Sequence, residues 1–308
     1  MENNKEKINV KILIIGAGPA GLSAAIYTAR AGFETVVITG SAMGGQASLT
    51  AEIENYPGFP EVLSGAELMA KFDEQAEKFG AKLEYDSVTK VDFSSRPYKI
   101  ETDGKIWLAD NVIIASGSNH MLLNVPGEKE FTGKGVSYCA TCDGFFYRGK
   151  KVAVVGGGNS AVEEAIFLTR FASEVYIIHR REALRADAII QKRAEENKKI
   201  HFIWSSVVTE VLGNEKLTGL KIKNLKTGEE QIEPFDGVFV FIGFKTVTDI
   251  YDGQLEIVNG TIAVNKMMET SKPGIYAAGE SIDSIYRQVI TSAGTGAQAG
   301  IALTHALL

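Results

Sequence analysis

Gly16-Ala17-Gly18-Pro19-Ala20-Gly21 follows the apolar run Ile12-Leu13-Ile14-Ile15, and Gly156-Gly157-Gly158-Asn159-Ser160-Ala161 follows Val152-Ala153-Val154-Val155. Each is a glycine turn, GxGxxG first and GxGxxA second, set between a β-rich apolar run and a helix-forming segment. In such a turn the first glycine permits a tight bend and the second lets backbone approach a pyrophosphate. The small third residue lets helix pack against strand, and the helix N-terminus offers its N–H groups to the anion. The pattern predicts a strand at Lys11–Ile15, a helix at Gly21–Ala31 and a strand at Thr35–Thr39. The same triplet recurs at Val152–Val155, Ala161–Phe171 and Val175–His179. The chain therefore carries an internal repeat of a nucleotide-binding unit, which implies two nucleotide ligands.

The rest of the sequence fits around these two units. At 308 residues and roughly 150 per domain, about two domains are expected. Alternating strand and helix signals argue for α/β architecture with mostly parallel sheets. Gly65–Phe79 reads as an amphipathic helix through Leu68, Phe72 and Phe79. Lys82–Thr102 and Lys105–Ile114 read as strands of a small sheet, and His201–Lys223 and Glu230–Ile242 as later strands. Gly274–Glu280 is a strand running into a glycine turn, and Gln288–Leu307 a final helix. With 45% hydrophobic and 23% charged residues the composition is that of a globular protein, and a net charge of −6 gives no support for a nucleic-acid partner. Lys5, Lys7 and Lys11 ahead of an apolar run have the outline of a signal peptide. However, Gly16, Gly18, Pro19 and Gly21 interrupt the run before it reaches the ~18 residues of a membrane span, so a cytoplasmic protein free of the membrane is expected.

Two residues carry redox chemistry. Cys139 and Cys142 are the only cysteines, spaced as CxxC. Positions i and i+3 of a helical turn lie about 5–6 Å apart, the separation a disulfide prefers, so the pair is able to open and close with little backbone movement. Asp143 follows directly and is placed to exchange the proton of a thiol. A zinc site has no support, because His120, His179, His201 and His305 are scattered and four ligands are needed. A structural disulfide and a pair of inert buried thiols remain as alternatives. At the end of the second unit's second strand stand His179-Arg180-Arg181 and then Arg185, where an acid would otherwise bind a ribose. Guanidinium groups there suit a 2′-phosphate, which favours NADPH over NADH; a solvated basic patch is the alternative. In the first unit Thr39 replaces the expected ribose acid.

Cys139-Ala140-Thr141-Cys142-Asp143-Gly144-Phe145-Phe146-Tyr147, the Gly156–Ala161 turn and His179-Arg180-Arg181…Arg185 together resemble the low-molecular-weight, bacterial-type thioredoxin reductases. The resemblance extends over essentially the whole chain, including Thr39-Gly40, Gly44-Gly45-Gln46, Asn55-Tyr56-Pro57-Gly58 and Tyr286-Arg287-Gln288-Val289-Ile290-Thr291. It implies two Rossmann-like, three-layer ββα domains in a homodimer. A discontinuous FAD domain would span 1–117 and 245–308, with an NADPH domain, 118–244, inserted in it. FAD would be held by Gly16, Gly18, Pro19, Ala20 and Gly21, by Thr39, Gly40, Gly44, Gly45 and Gln46, and by Asn55 and Val88. Ala115, Gly117, Gly279 and Glu280 would complete the seat, with Arg287, Gln288 and Val289 lining the isoalloxazine. NADPH would be held by Gly156, Gly158, Asn159, Ser160 and Ala161, by His179, Arg180, Arg181 and Arg185, and by Gly243.

The resemblance also implies that electrons run from NADPH through FAD to the Cys139–Cys142 disulfide and on to thioredoxin, with the NADPH domain rotating between half-reactions. Cys142 would face the flavin, Cys139 would attack thioredoxin, Asp143 would act as acid–base group, and Phe145 and Phe146 would help dock the partner. Gly117–Val125 and Gly243–Asp249 are the expected hinges. The chain departs from the family in Glu280, where Asp is usual, in Ala115-Ser116-Gly117 for Ala-Thr-Gly, and in a 243–248 crossing without Pro-Asn. The runner-up activities are a peroxiredoxin-type reductase, a dithiol oxidase and a ferredoxin-driven thioredoxin reductase. The first normally carries an N-terminal extension ahead of its first glycine turn, and donors other than NADPH go with loss of the second turn. A non-catalytic flavin-binding protein would have no use for the CxxC.

Overall fold

Ile12-Leu13-Ile14-Ile15 is buried on both faces, Ile12 and Ile14 beneath helices and Leu13 and Ile15 in a second core cluster, as parallel strands inside an α/β sheet must be. In this computed structural model, which describes residues 5–40, 43–50 and 52–308, the run is the inner half of β1 (Glu6–Ile15). α1 (Pro19–Arg30), β2 (Thr35–Ile38), α2 (Gly65–Lys78), β3 (Lys82–Glu84), β4 (Val88–Asp92), β5 (Tyr98–Thr102) and β6 (Lys105–Ile114) follow. The chain crosses through β7 (Ser118–His120) into β8 (Val136–Ser137), α3 (Ala140–Asp143), β9 (Lys151–Val155), α4 (Asn159–Leu168), β10 (Glu174–Ile178), α5 (Ala188–Glu195) and β11 (Ile200–Ile203). β12 (Ser206–Gly213), β13 (Leu217–Asn224), β14 (Glu230–Pro234) and β15 (Gly237–Val240) complete that part, and β16 (Phe244–Thr246) leads back to β17 (Ile257–Val258), β18 (Thr261–Ile262), β19 (Ile275–Ala277) and α6 (Val289–Leu307).

The chain divides into two units, one of the residues up to Asn119 with Lys245–Leu308, the other of His120–Phe244. In the first, β3-β2-β1-β6 run parallel, β19 continues the parallel sheet beside the end of β6, and β5 and β4 extend it antiparallel from the start of β6. In the second, β11-β10-β9-β15-β8 form a parallel sheet, with β12-β13-β14 as a separate antiparallel sheet. The strand that precedes each glycine turn, β1 or β9, has its next strand in sequence on one side and a later strand on the other. That is the point of an α/β sheet where strand order reverses and ligands bind.

Several element boundaries differ from the sequence expectation, each for a local reason. β1 begins at Glu6, not Lys11, because Glu6–Val10 pairs with Lys105–Ala109. Lys105–Ile114 is no strand of a small sheet: it lies beside β1 in the main parallel sheet, its Val112, Ile113 and Ile114 fully buried. α1 starts at Pro19, two residues early, since proline's fixed φ and missing N–H suit the first helical position. α4 starts at Asn159 and ends at Leu168, before Phe171. Among the described residues, no helix is long and apolar enough to cross a membrane; the first four residues of the lysine-bearing leader lie outside the described residues.

Candidate active site

The first glycine turn is shaped by what its glycines exclude. A Cβ on Gly16 (φ +107°) would stand 2.2 Å from the Ala115 carbonyl oxygen, and one on Gly21 only 1.8 Å from that of Gly16. On Gly18 it would meet nothing within 4 Å. Gly18 is also the N-cap of α1, with no side chain bonded to the helix end. Two glycines thus let the turn close, and the third leaves an open approach to a bare helix N-terminus, the cradle that a pyrophosphate fits.

Other expected flavin residues gather around it. A Cβ on Gly45 would lie 3.2 Å from the Gly18 Cα, which places the Gly44-Gly45 bend against the turn. One on Gly279 would lie 2.7 Å from the Ala20 Cβ. The Gly117 N–H donates to the Ser281 hydroxyl at 3.2 Å, and the Ser118 hydroxyl donates to the Glu280 carboxylate. The Gln46 amide donates to the Ser118 carbonyl at 3.4 Å. Thr39 is buried and bonds the Gly40 carbonyl, while the Gly40 N–H bonds Asp86.

Asn55 donates to the Gln288 side-chain oxygen at 3.1 Å. Asp283 sets the segment that leads into Val289 and α6: its carboxylate accepts the N–H groups of Ile285, Tyr286 and Arg287, the last with φ +50°. Asp283 lies outside the motifs singled out above, although an Asp capping its own downstream N–H groups is a recognisable turn former. Val88 packs on β4 against the core cluster of Leu13 and Ile114, two residues after Asp86, whose carbonyl accepts the Gly40 N–H.

The second turn has the same construction and an added clamp. A Cβ on Gly156 would meet the Phe241 carbonyl oxygen at 2.3 Å and Ala161 at 2.7 Å, whereas one on Gly158, the uncapped N-cap of α4, meets nothing within 4 Å. A Cβ on Gly157 would strike the His179 ring at 2.5 Å, so the imidazole stands directly against the turn. The loop that follows is fastened there. Arg185 N–H donates to the Gly157 carbonyl at 2.6 Å, Asp187 N–H to the Asn159 Oδ1 at 2.7 Å, and Asn159 Nδ2 to the Asp187 carboxylate at 2.9 Å. Ser160 is exposed beside them, and Arg180, Arg181 and Arg185 are exposed.

His179 is buried with its Nε2 unpartnered. Burial first, then the charges of Arg185, Arg181 and Arg180, hold its pKa below the usual imidazole value. Three exposed arginines on the loop that follows His179 thus make its surroundings electropositive, and such a loop favours an anion. No local sequence pattern links the Asn159–Asp187 pair, whose members are 28 residues apart. Gly243 lies at the crossing, two residues after Phe241, whose carbonyl faces Gly156, and its own carbonyl accepts the Met121 N–H at 2.9 Å.

The cysteines form a disulfide with Cα atoms 5.4 Å apart. The separation is that of a helical i, i+3 pair, yet Cys139 lies outside the helix as its extended N-cap (φ −144°), and only Cys142 sits within α3. The Cys139 sulfur accepts the Cys142 N–H at 3.2 Å and lies 3.2 Å from the Thr141 hydroxyl, contacts that favour a thiolate once the bond opens. Ser137 fixes the backbone of Cys139 by accepting its N–H at 3.1 Å and donating to its carbonyl at 3.2 Å. Asp143 is half-buried, and its charge, after burial, raises the pKa of Tyr147. Phe145 and Phe146, 61% and 68% exposed, form an edge-to-face pair beside the disulfide, with Arg148 over the Phe145 ring.

Comparison with known proteins agrees with this geometry. The family model described as pyridine nucleotide-disulphide oxidoreductase matches residues 10–300. A thioredoxin reductase of Rickettsia felis is 46% identical over 301 residues, covering 96% of this chain and 97% of its own length. The crystal structure of Lactococcus lactis thioredoxin reductase superposes with a TM-score of 0.92 at 42% identity, over 97% of this chain and all of that one. Thioredoxin reductase of T. acidophilum gives 0.90 at 34% identity, over 97% and 99% of the two chains. The chain belongs to the pyridine nucleotide-disulphide oxidoreductases and, within them, to the thioredoxin reductases.

Proposed function

We propose that the chain reduces the disulfide of thioredoxin with electrons from NADPH, in the cytoplasm and as a homodimer. The discontinuous unit would seat FAD, and the inserted unit would bind NADPH and carry the dithiol. The observation that carries the reading is the Cys139–Cys142 disulfide in the same unit as a glycine turn whose carbonyl fastens the arginine-bearing loop through the Arg185 N–H. FAD, when bound, supplies the two-electron relay between a nicotinamide and a disulfide.

The chain's own residues do the rest. The Gly16–Gly21 turn and the N-terminus of α1 bind a pyrophosphate, and the loop of Arg180, Arg181 and Arg185 takes a 2′-phosphate. In the reduced pair the Cys139 thiolate attacks the partner's disulfide, forming a mixed disulfide and releasing one partner thiolate. Cys142 then attacks the Cys139 sulfur, which restores the intramolecular bond and frees the second thiol. Asp143 gives or takes the proton that accompanies these steps, and exposed Phe145 and Phe146 supply apolar contact for the partner. One dithiol cannot serve a flavin and a bulky protein at once, so the inserted unit turns about β7 and β16 between the two tasks. Steady-state reduction of thioredoxin by NADPH tests the reading: the parent turns over, and Cys139→Ser and Cys142→Ser do not.

A further inference from the structure

Tyr138, the residue before Cys139, is held by a buried carboxylate outside the site described so far. Its phenol donates to Glu128 Oε1 at 2.9 Å, and Glu128 is only 4% exposed. The same carboxylate accepts the N–H of Leu123 at 2.7 Å and of Asn124 at 2.6 Å. Those two residues lie in the segment that continues, past Met121 and Leu122, from the strand by which the chain enters the inserted unit. The Tyr138 ring also stacks on the His120 imidazole, centroids 5.8 Å apart and 25° inclined, and His120 packs in turn on Phe244 at 5.0 Å. His120 ends the entering strand, and Phe244 begins the leaving one. Both crossings of the chain and the residue before Cys139 therefore meet in one assembly that Glu128 ties together.

A buried polar side chain is a costly way to hold segments together, and apolar packing would serve stability as well. What a satisfied buried network adds is a single fixed arrangement. We infer that Glu128 is a positioning residue for Cys139: through the Tyr138 phenol it locks the backbone of the attacking cysteine to the strands about which its unit moves. The catalytic consequence rests on the function proposed above.

The test uses the full chain with its cofactor. Tyr138→Phe keeps the ring stack and removes only the phenol–carboxylate bond, while Glu128→Gln leaves one acceptor oxygen facing three donors. A misplacement of about 1 Å can cost about a hundredfold in rate, and losing one bond of a packed assembly should cost about tenfold. Tyr138→Phe is therefore expected to lower kcat for thioredoxin about tenfold with KM within about twofold. It should also change the ratio of Cys139 to Cys142 alkylation by iodoacetamide in the chemically reduced protein. Glu128→Gln should move both quantities in the same direction, and further. If Tyr138→Phe leaves both at the parent's values, the inference is overturned, and a lowered melting temperature with an unchanged alkylation ratio overturns it equally. Should the parent not reduce thioredoxin, the proposed function fails, and the alkylation ratio still judges the role of Glu128.

Discussion

On the proposed function, Arg180, Arg181 and Arg185 are the side chains that would select NADPH over NADH. Each charge-assisted bond to a 2′-phosphate contributes about 1.5–3 kcal/mol. Arg180→Ala with Arg181→Ala should raise the KM for NADPH at least tenfold and leave that for NADH nearly unchanged; an equal loss for both would make the arginines structural. His179 reports on the same cluster. Its folded pKa lies below its unfolded one, chiefly through burial, so the stability of the neutral ring is present above about pH 6.5 and is lost as pH falls through the folded value. A 2′-phosphate among the guanidiniums would relieve part of their repulsion. Imidazole NMR titration should accordingly show the His179 pKa rising on addition of NADP⁺ but not of NAD⁺, and equal shifts with the two would contradict the phosphate site.

At Glu280 the carboxylate accepts the Ser118 hydroxyl. Glu280→Asp should change the FAD dissociation constant less than tenfold and Glu280→Ala more, as read by fluorescence titration; an Ala variant as tight as the parent would remove this side chain from the flavin seat. The arginines and cysteines were legible because their spacing from a strand end or from each other is itself the signal. Asp283, Glu128 and the Asn159–Asp187 clamp were not, because their partners are backbone groups or side chains that only the fold brings near.

Among the elements, α1 and α6 show how packing supports the site. A Cβ on Gly296 of α6 would stand 2.0 Å from the Ala20 carbonyl oxygen, and one on Gly300 2.8 Å from that of Ala24. The helices therefore touch backbone to backbone beside the first glycine turn. Alanine is the better helix former by about 1 kcal/mol, but overpacking costs about 1–3 kcal/mol, so Gly296→Ala should lower the unfolding free energy in urea. A more stable variant would show that the contact is loose. The two glycine turns, both strand–turn–helix units and the last helix were legible from apolar runs and glycine spacing. The edges were not. Pro19 starts α1 early, Cys139 caps α3 from outside it, and β6 joins the main sheet through pairing with β1 that no local pattern of Lys105–Ile114 announces.

For the whole molecule, the repeat in the sequence became two units, each built on a parallel sheet with its glycine turn where strand order reverses. On the proposed function, placing a disulfide in the same unit as the second glycine turn and its arginine-bearing loop makes the chain an electron conduit with a protein-facing end. That account is tested most directly by counting thiols. The purified protein, oxidised and free of air, is mixed with excess NADPH, quenched with an alkylating agent and mapped residue by residue. The account predicts two new alkylated thiols per chain, at Cys139 and Cys142, both abolished when oxidised thioredoxin is added before the quench. NADPH consumed with neither cysteine labelled would contradict it.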